Sequence, residues 1–349
     1  MRGVVARRGR LVVEDLPEPT PGEDDALVSL RACGICGSDL HTLAHADALP
    51  SVATAMGMEG RFDPEQDYFL GHEWVAEVLE VGRNAPSSVQ PGDRVVSVPY
   101  LVRGLDLIPL GFLNDDYAGY CERFLLTAAL CRTVPNGLDD RRAALTEPMA
   151  VGLHAVNQAR VEPGDAALVI GCGPIGLALI AWLRARNVEP IVASDYSPRR
   201  RRLAAELGAH VVHDPATEPA GAAAVRAAAA KPLVVFEAVG VPGVLDELLA
   251  SVPARSRLVV AGVCMQPDTI RPLLAVVKEL ALQFVYAYDN DEFDATLRAL
   301  ADGELDVAPL LTGRVGLDGV AAAFDELGHA DQHVKVLVEP GGPITPTAW

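Results

Sequence analysis

Lysine is nearly missing from this 349-residue chain: Lys231, Lys278 and Lys335 are the only ones, so 26 of its 29 basic residues are arginines. With charged residues at 22%, that bias reads as the imprint of a GC-rich genome and carries no chemical message. Basic charge of any kind is outnumbered, 29 residues against 47 acidic ones, and the formal net charge of −18 excludes a protein that grips nucleic acid through its phosphates. Long hydrophobic runs are also lacking. No stretch of 18 apolar residues is free of charge or helix breakers, and the opening MRGVVARRGRLVVEDL alternates like a strand where a signal peptide would be apolar. The expectation is a soluble, cytoplasmic protein with no membrane partner. Cysteine is sparse and irregular (Cys33, Cys36, Cys121, Cys131, Cys172, Cys264), which excludes a disulfide framework. Aromatics make up only 5%, yet half the residues are hydrophobic, too many for a disordered chain, and the length calls for two domains.

Two textures divide the sequence. Up to about residue 155, short β-type runs are punctuated by Gly and Pro (GVVARRG, ALVSLRA, WVAEVLEVG, PGDRVVSVPYLV), the pattern of a mostly antiparallel β domain. From Ala166, apolar strands alternate with helical segments: AALVI, PIGLALIAWLRARN, PIVASD, PRRRRLAAELGA, HVV, AGAAAVRAAAA, PLVVFEAVG, GVLDELLASV, RLVVAGV. That alternation is the signature of βαβ crossovers and a parallel sheet covered on both faces. The Ala-rich piece at 220–230 reads as a surface helix. The division is 1–155, 156–288, and a tail 289–349 that rejoins the first domain.

The parallel-sheet half opens with a nucleotide signal. After AALVI comes Gly171-Cys172-Gly173-Pro174-Ile175-Gly176 leading into a helix, and the next strand ends in Asp195, 19 residues beyond Gly176. Glycines here allow a tight turn, close approach of backbone to a pyrophosphate, and close packing of helix on strand, while the helix N-terminus offers amide donors. Asp195 would accept hydrogen bonds from the ribose hydroxyls and repel a 2′-phosphate, arguing for NAD over NADP. Arg199, Arg200, Arg201 and Arg202 just beyond could serve a phosphate, although an arginine run at a helix start is usually a solvated face.

Metal-ligating residue types collect in the first half. Cys33-Gly34-Ile35-Cys36-Gly37-Ser38-Asp39-Leu40-His41 packs a thiol, hydroxyl, carboxylate and imidazole into one turn region; Gly71-His72-Glu73 and Glu147 add more. A zinc that does chemistry takes three protein ligands and leaves a fourth position open, and Cys36, His72 and one of Glu73 or Glu147 would supply them. The lone CxxC, Cys33 to Cys36, could instead be a redox pair or half of a four-cysteine site, but no second CxxC exists.

The segments CGICGSDLH, GHEWVAEVLEVG, PGDRVV, TEPMAVGLHAV, GCGPIG and EFDATLRALADGELDVAPLLTGRVGL, in this order over nearly the whole chain, resemble the zinc-dependent alcohol dehydrogenases of the medium-chain dehydrogenase/reductase superfamily. The TEP at Glu147 is similar to the polyol branch of sorbitol, threonine and butanediol dehydrogenases. The resemblance implies an α/β protein: a GroES-like β-rich catalytic domain and a Rossmann doubly wound domain, with zinc and nicotinamide meeting in a cleft. It also implies Cys36 and His72 as zinc ligands, Glu73 and Glu147 as carboxylates that bind zinc or hold its water, and Asp39 orienting the ligand histidine. Ser38 would bond the substrate oxygen and His41 would stand at the outer end of a proton relay. Gly171, Gly173, Pro174, Ile175 and Gly176 would form the pyrophosphate loop, Asp195 would bind ribose and Arg200 would flank the adenosine. The implied activity is reversible hydride transfer between NAD(H) and a secondary alcohol, diol or polyol in a homo-oligomer, dimer or tetramer. A metal-free reductase of activated double bonds would have no use for the Cys, His and Glu set, and a noncatalytic NAD-binding scaffold none for Ser38 and His41.

Two departures matter. Where relatives carry four clustered cysteines for a structural zinc, this chain reads SVPYLVRGLDLIPLGFLNDDYAGYCERF with Cys121 alone, so one catalytic zinc and no structural zinc is the expectation. Leu105, Leu107, Ile108, Leu110 and Phe112 in that segment would line the cleft, a subunit contact or a small local core. The long interval between Cys36 and His72 carries Met56, Met58 and Phe62, read equally as a roof over the substrate or as an exposed loop.

Overall fold

The computed structural model describes residues 1–55 and 57–348. Two compact units emerge from it, Met1–Glu147 together with the chain from Leu311 onward, and Pro148–Leu310.

The first unit begins with the hairpin β1 (Arg2–Arg7) and β2 (Arg10–Asp15), followed by the long strand β3 (Asp25–Gly34). Two short helices come next, α1 (Gly37–Ala44) and α2 (Leu49–Ala55), then β4 (Phe69–Leu70), β5 (Glu73–Val81) and β6 (Arg94–Ser97). PGDRVVSVPYLV, read as one run, is split at Pro99, which cannot donate to a ladder; beyond it lie the hairpin β7 (Tyr100–Arg103) and β8 (Asp106–Pro109) and the short β9 (Phe112–Leu113). β10 (Arg123–Thr127), β11 (Cys131–Thr133) and α3 (Asp140–Ala143) complete this stretch.

The helix α4 (Thr146–Gln158) leads into the second unit. There β12 (Ala166–Ile170), α5 (Pro174–Ala185), β13 (Ile191–Ser194), α6 (Pro198–Glu206), β14 (Val211–His213) and α7 (Ala220–Ala228) alternate strictly. The alternation continues through β15 (Leu233–Glu237), α8 (Val244–Ser251), β16 (Arg257–Val260), α9 (Pro272–Val277), β17 (Ala281–Phe284) and α10 (Asn290–Ala301). β18 (Leu311–Val315), α11 (Val320–Leu327) and β19 (Lys335–Val338) then return to the first unit.

In the first unit a seven-stranded sheet runs β11-β6-β5-β3-β19-β18, with β10 also on β3. All its pairings are antiparallel except β18 with β19. Its core gathers Val28, Leu30, Trp74, Tyr120 and Phe124. Pairing of β19 with β3 at Leu337↔Gly34 brings the C-terminal strand beside the Cys33–His41 turn. The second unit is a six-stranded parallel sheet in the order β14-β13-β12-β15-β16-β17, reversing between β12 and β15 as a doubly wound sheet does.

Two details differ from the sequence reading. The tail does not rejoin the first unit at residue 289: the α10 glutamate Glu292 bonds His154 Nδ1 at 2.7 Å and Asn157 Nδ2 at 2.6 Å on α4, which keeps α10 in the second unit. The Ala-rich helix α7 is no mere surface helix, because Ala220, Ala223, Ala224 and Ala228 are buried, small side chains that let helix and sheet approach closely. In the parallel sheet β16 is an inner strand and β17 the edge. No helix among the described residues is long and apolar enough to cross a membrane.

Candidate metal centre and dinucleotide site

Cys36 ends the turn after β3, and His72 and Glu73 lie at the entry to β5, the strand hydrogen-bonded to β3. This pairing gathers side chains 36 residues apart in sequence. Among the described residues, Cys36, His72 and Glu73 bring one ligand atom each to within 4.8 Å of one another, and Glu147, in the first turn of α4, lies outside that set. Sulfur, imidazole nitrogen and carboxylate oxygen are the donor types zinc accepts.

The candidate ligands are held from behind. Asp39, fully buried, accepts from Cys36 N at 3.0 Å and Gly71 N at 3.2 Å, and its Oδ1 lies 3.3 Å from His72 Nδ1, an ion-pair distance without hydrogen-bond alignment. That leaves Nε2 for a metal, 3.3 Å from Ser38 Oγ. Burial opposes ionisation of Asp39, but the charge of His72 and the donors around the carboxylate outweigh it and hold its pKa below the ordinary value. Burial likewise opposes a proton on His72, yet Asp39 and Cys36 raise its pKa well above normal. A pocket that favours positive charge despite burial suits a cation.

Two residues had no signal in the sequence reading. Lys335 on β19, fully buried, donates to both Glu73 oxygens, at 2.8 and 2.7 Å, and to Ile35 O at 3.0 Å. Burial works against its charge, but Glu73 and Cys36 keep the pKa above that of a free lysine. Tyr120 donates to Asp39 Oδ2 at 2.6 Å. Gly34 makes room for this arrangement, since a Cβ there would overlap the Glu73 carboxylate.

Ser38 and His41 are one turn apart on α1, and His41 stacks near His45 with ring centroids 6.5 Å apart. Cys33, partner of Cys36 in the CxxC, is completely buried, and burial pushes its thiol up, an inert position for a redox cysteine. Cys121 and Cys131 are buried thiols pushed up to about 12. The segment with Cys121 alone folds into the β7–β8 hairpin and β9, and β9 carries Phe112 to within 4.9 Å of the His72 ring. Leu110 joins the core, whereas Leu105 and Leu107 stand exposed at the hairpin tip. Phe62 packs into the core edge-on to Tyr68 rather than roofing a pocket. Met58 lines a cavity of about 260 Å³ with Leu107 and Ile108; Met56 lies outside the described residues.

In the second unit Gly171 adopts φ +87° and Gly173 caps α5, with Pro174 and Ile175 in its first turn. A Cβ on Gly176 would overlap the Gly171 carbonyl, whereas one on Gly173 would meet nothing nearer than Arg200 Nη1 at 4.0 Å. The loop is therefore closed on its inner side at Gly176 and open at Gly173. Asp195 accepts from Cys172 N at 2.7 Å and Ser197 N at 2.8 Å, which fixes the carboxylate beside the loop. Arg201 is drawn away, donating to Asp195 O and Tyr196 O and pairing with Asp214 at 3.0 Å; Arg202 is exposed. Arg200 stays over the loop, its Nη1 4.0 Å from Asp195 Oδ2.

Residues 22–135 match the model of the alcohol dehydrogenase GroES-like domain and residues 174–302 that of the zinc-binding dehydrogenases. The chain is 31% identical to (R,R)-butanediol dehydrogenase of Bacillus subtilis, over 94% of its own length and 96% of the relative's. It is 28% identical to sorbitol dehydrogenase of Gallus gallus, with 96% and 95% covered. The crystal structure of 2R,3R-butanediol dehydrogenase from Bacillus subtilis superposes with a TM-score of 0.81 at 30% identity, covering 97% of this chain and 99% of that one. The chain belongs to the zinc-dependent alcohol dehydrogenase family of the medium-chain dehydrogenases/reductases, in its polyol branch.

Proposed function

We propose that this family member is an NAD- and zinc-dependent dehydrogenase that interconverts a secondary alcohol, diol or polyol with its ketone, using one catalytic zinc per chain. The observation that carries the reading is the convergence of Cys36, His72 and Glu73 within 4.8 Å, with Ser38 Oγ 3.3 Å from His72 Nε2. Cys36, His72 and Glu73 would hold the zinc, with Glu147 the carboxylate nearby, and the bound metal would polarise the substrate oxygen and lower the pKa of an alcohol.

The chain's own residues do the rest. Asp39 orients His72, Lys335 fixes the Glu73 carboxylate, and Ser38 accepts the hydrogen bond of the substrate hydroxyl and takes its proton. His41, one turn on along α1 and half-buried, receives the proton on the solvent side. Burial first, and His45 second, lower its pKa, so its imidazole is neutral and able to accept at neutral pH. In the reverse direction His41 and Ser38 return the proton to the ketone oxygen. Gly171, Gly173, Pro174, Ile175 and Gly176 would cradle the pyrophosphate and Asp195 the ribose, which favours NAD over NADP, with Arg200 beside the adenosine.

The substrate class rests on kinship with butanediol and sorbitol dehydrogenases. We also infer a homo-oligomer, because β17 leaves one edge of the parallel sheet open with Phe284 and Tyr286 exposed. The test is elemental analysis of purified protein together with NADH and NADPH formation on secondary alcohols, 2,3-diols and sugar alcohols. One zinc per chain, lost with activity on chelation, and NAD preferred over NADP are the expected results. No zinc, with NADPH-dependent reduction of enones, would overturn the reading.

A further inference from the structure

The buried Asp39 carboxylate is the junction of three chain segments. Oδ2 accepts from Cys36 N at 3.0 Å and Tyr120 Oη at 2.6 Å, and Oδ1 accepts from Gly71 N at 3.2 Å beside His72 Nδ1 at 3.3 Å. The two ligand-bearing turns therefore meet on one carboxylate, and the only side-chain hydroxyl holding it among the described residues comes from outside both turns.

Tyr120 is itself rigidly placed. Its side chain is completely buried, its backbone N–H donates to Leu70 O at 3.3 Å, and its carbonyl accepts from Val4 N at 2.9 Å. Phe324 lies edge-on to the ring at 6.1 Å, and on another side sits Gly71, φ +94°, where a Cβ would come within 2.8 Å of the ring. The hydroxyl also lies 3.4 Å from Gly34 O, but its single proton is directed to the nearer and charged Asp39. Burial first, and the Asp39 charge second, hold the phenol well above its ordinary pKa, so it remains a donor at every pH the enzyme would meet.

We propose that Tyr120 is a positioning residue of the metal centre: by fixing the rotation of Asp39 it sets the spacing of Cys36 and the ring plane of His72 toward a bound zinc-type cation. Removing the hydroxyl leaves Oδ2 with one donor, frees the carboxylate to turn, and loosens both ligands at once. The inference rests on reading Cys36, His72 and Glu73 as a metal site.

Tyr120→Phe keeps the ring and removes only the oxygen. Tyr68→Phe is the matched control, since the Tyr68 hydroxyl is buried in the same core with no hydrogen-bond partner among the described residues. Zinc affinity is measured by competition with a chelating indicator, and ligand geometry by the visible absorption of cobalt-substituted protein. Expected is about tenfold weaker zinc binding in Tyr120→Phe, at the low end for residues that orient metal ligands, with an altered cobalt spectrum and no change in Tyr68→Phe. In an Asp39→Asn background, Tyr120→Phe should add nothing further. Wild-type zinc affinity and cobalt spectrum in Tyr120→Phe overturn the proposal, as does an equal loss in Tyr68→Phe, or a lower melting temperature of metal-free Tyr120→Phe with zinc affinity intact. A wild-type protein that binds no zinc overturns the metal-site reading itself, a result separate from all of these.

Discussion

Lys335 shows how much one side chain decides. Both it and Glu73 are fully removed from solvent, and a buried carboxylate left without its cation is penalised far beyond what the pair gains over an apolar substitute. Lys335→Met should therefore destabilise the protein by about 3–5 kcal/mol, and Lys335→Met with Glu73→Gln should recover most of it; denaturant unfolding of the metal-free proteins checks both. His41 makes the second prediction at this scale. Its pKa is lowered from 6.5 by burial and then by His45, and a proton acceptor must be neutral. Alcohol oxidation should fall as pH drops through a limb lying below 6.5, not above it. His45→Ala removes a like charge and should move the limb upward, while His41→Gln abolishes it and slows turnover by about tenfold to a hundredfold, the low end for acid-base groups. A pH–rate profile of the three proteins separates these outcomes. Cys36, Ser38, Asp39 and His41 stood out in the sequence because one short turn carries them. Lys335 and Tyr120 did not, because they reach their partners across 262 and 81 residues, and nothing in a linear string marks one buried lysine or tyrosine from another.

At the scale of elements, the β12–α5 turn was legible in full, since a strand, three glycines, a helix and a distant acid form a pattern fixed by local geometry. Its closing glycine gives a sharp test. A Cβ on Gly176 would overlap the carbonyl of Gly171, a backbone atom that cannot swing aside as a side chain can. Gly176→Ala should push α5 off the strand, destabilise the second unit by about 1–3 kcal/mol, and weaken NADH binding at least tenfold in a fluorescence titration. Zinc content should stay at the wild-type value, because Cys36, His72 and Glu73 belong to the other unit. An NADH affinity equal to wild type would mean that the loop does not carry the cofactor. Elements whose reason is tertiary were less readable. α1 and α2 are only eight and seven residues long, and what holds α1 is the Asp39 carboxylate on Cys36 N, itself anchored in the core around the candidate metal site. The Ala-rich α7 is a helix at the surface, as its composition says, but composition reports only helix propensity, while the burial of its inner face depends on the sheet beneath it.

At the scale of the whole molecule, the edge of the parallel sheet and the exposed apolar side chains near it bear on the proposed homo-oligomer. β17, with sequence ALQF, ends the parallel sheet; Phe284 O there accepts from its neighbour Gln283 Nε2 at 2.8 Å, and the strand carries none of the lysines or prolines that usually guard such an edge. Phe284 is 64% exposed beside it, and Val276 on α9 is 70% exposed. A twofold axis beside β17 would pair this strand with its own copy and bury those side chains twice over. Against this stands a net charge of −18 per chain, which repels a second copy. The repulsion is long-range and screened over about 8 Å at physiological ionic strength, whereas apolar burial is short-range and unaffected by moderate salt. Association should therefore tighten as salt rises, the reverse of a charge-driven contact. Val276→Lys with Phe284→Lys loses about 1.5–3 kcal/mol per side chain in each copy, so dissociation should become at least about a hundredfold easier. Sedimentation velocity over a range of concentration and salt reads this directly. A wild-type protein that sediments as a monomer at micromolar concentration, or a variant with unchanged assembly, would mean that the β17 edge is covered by something other than a second copy of this chain.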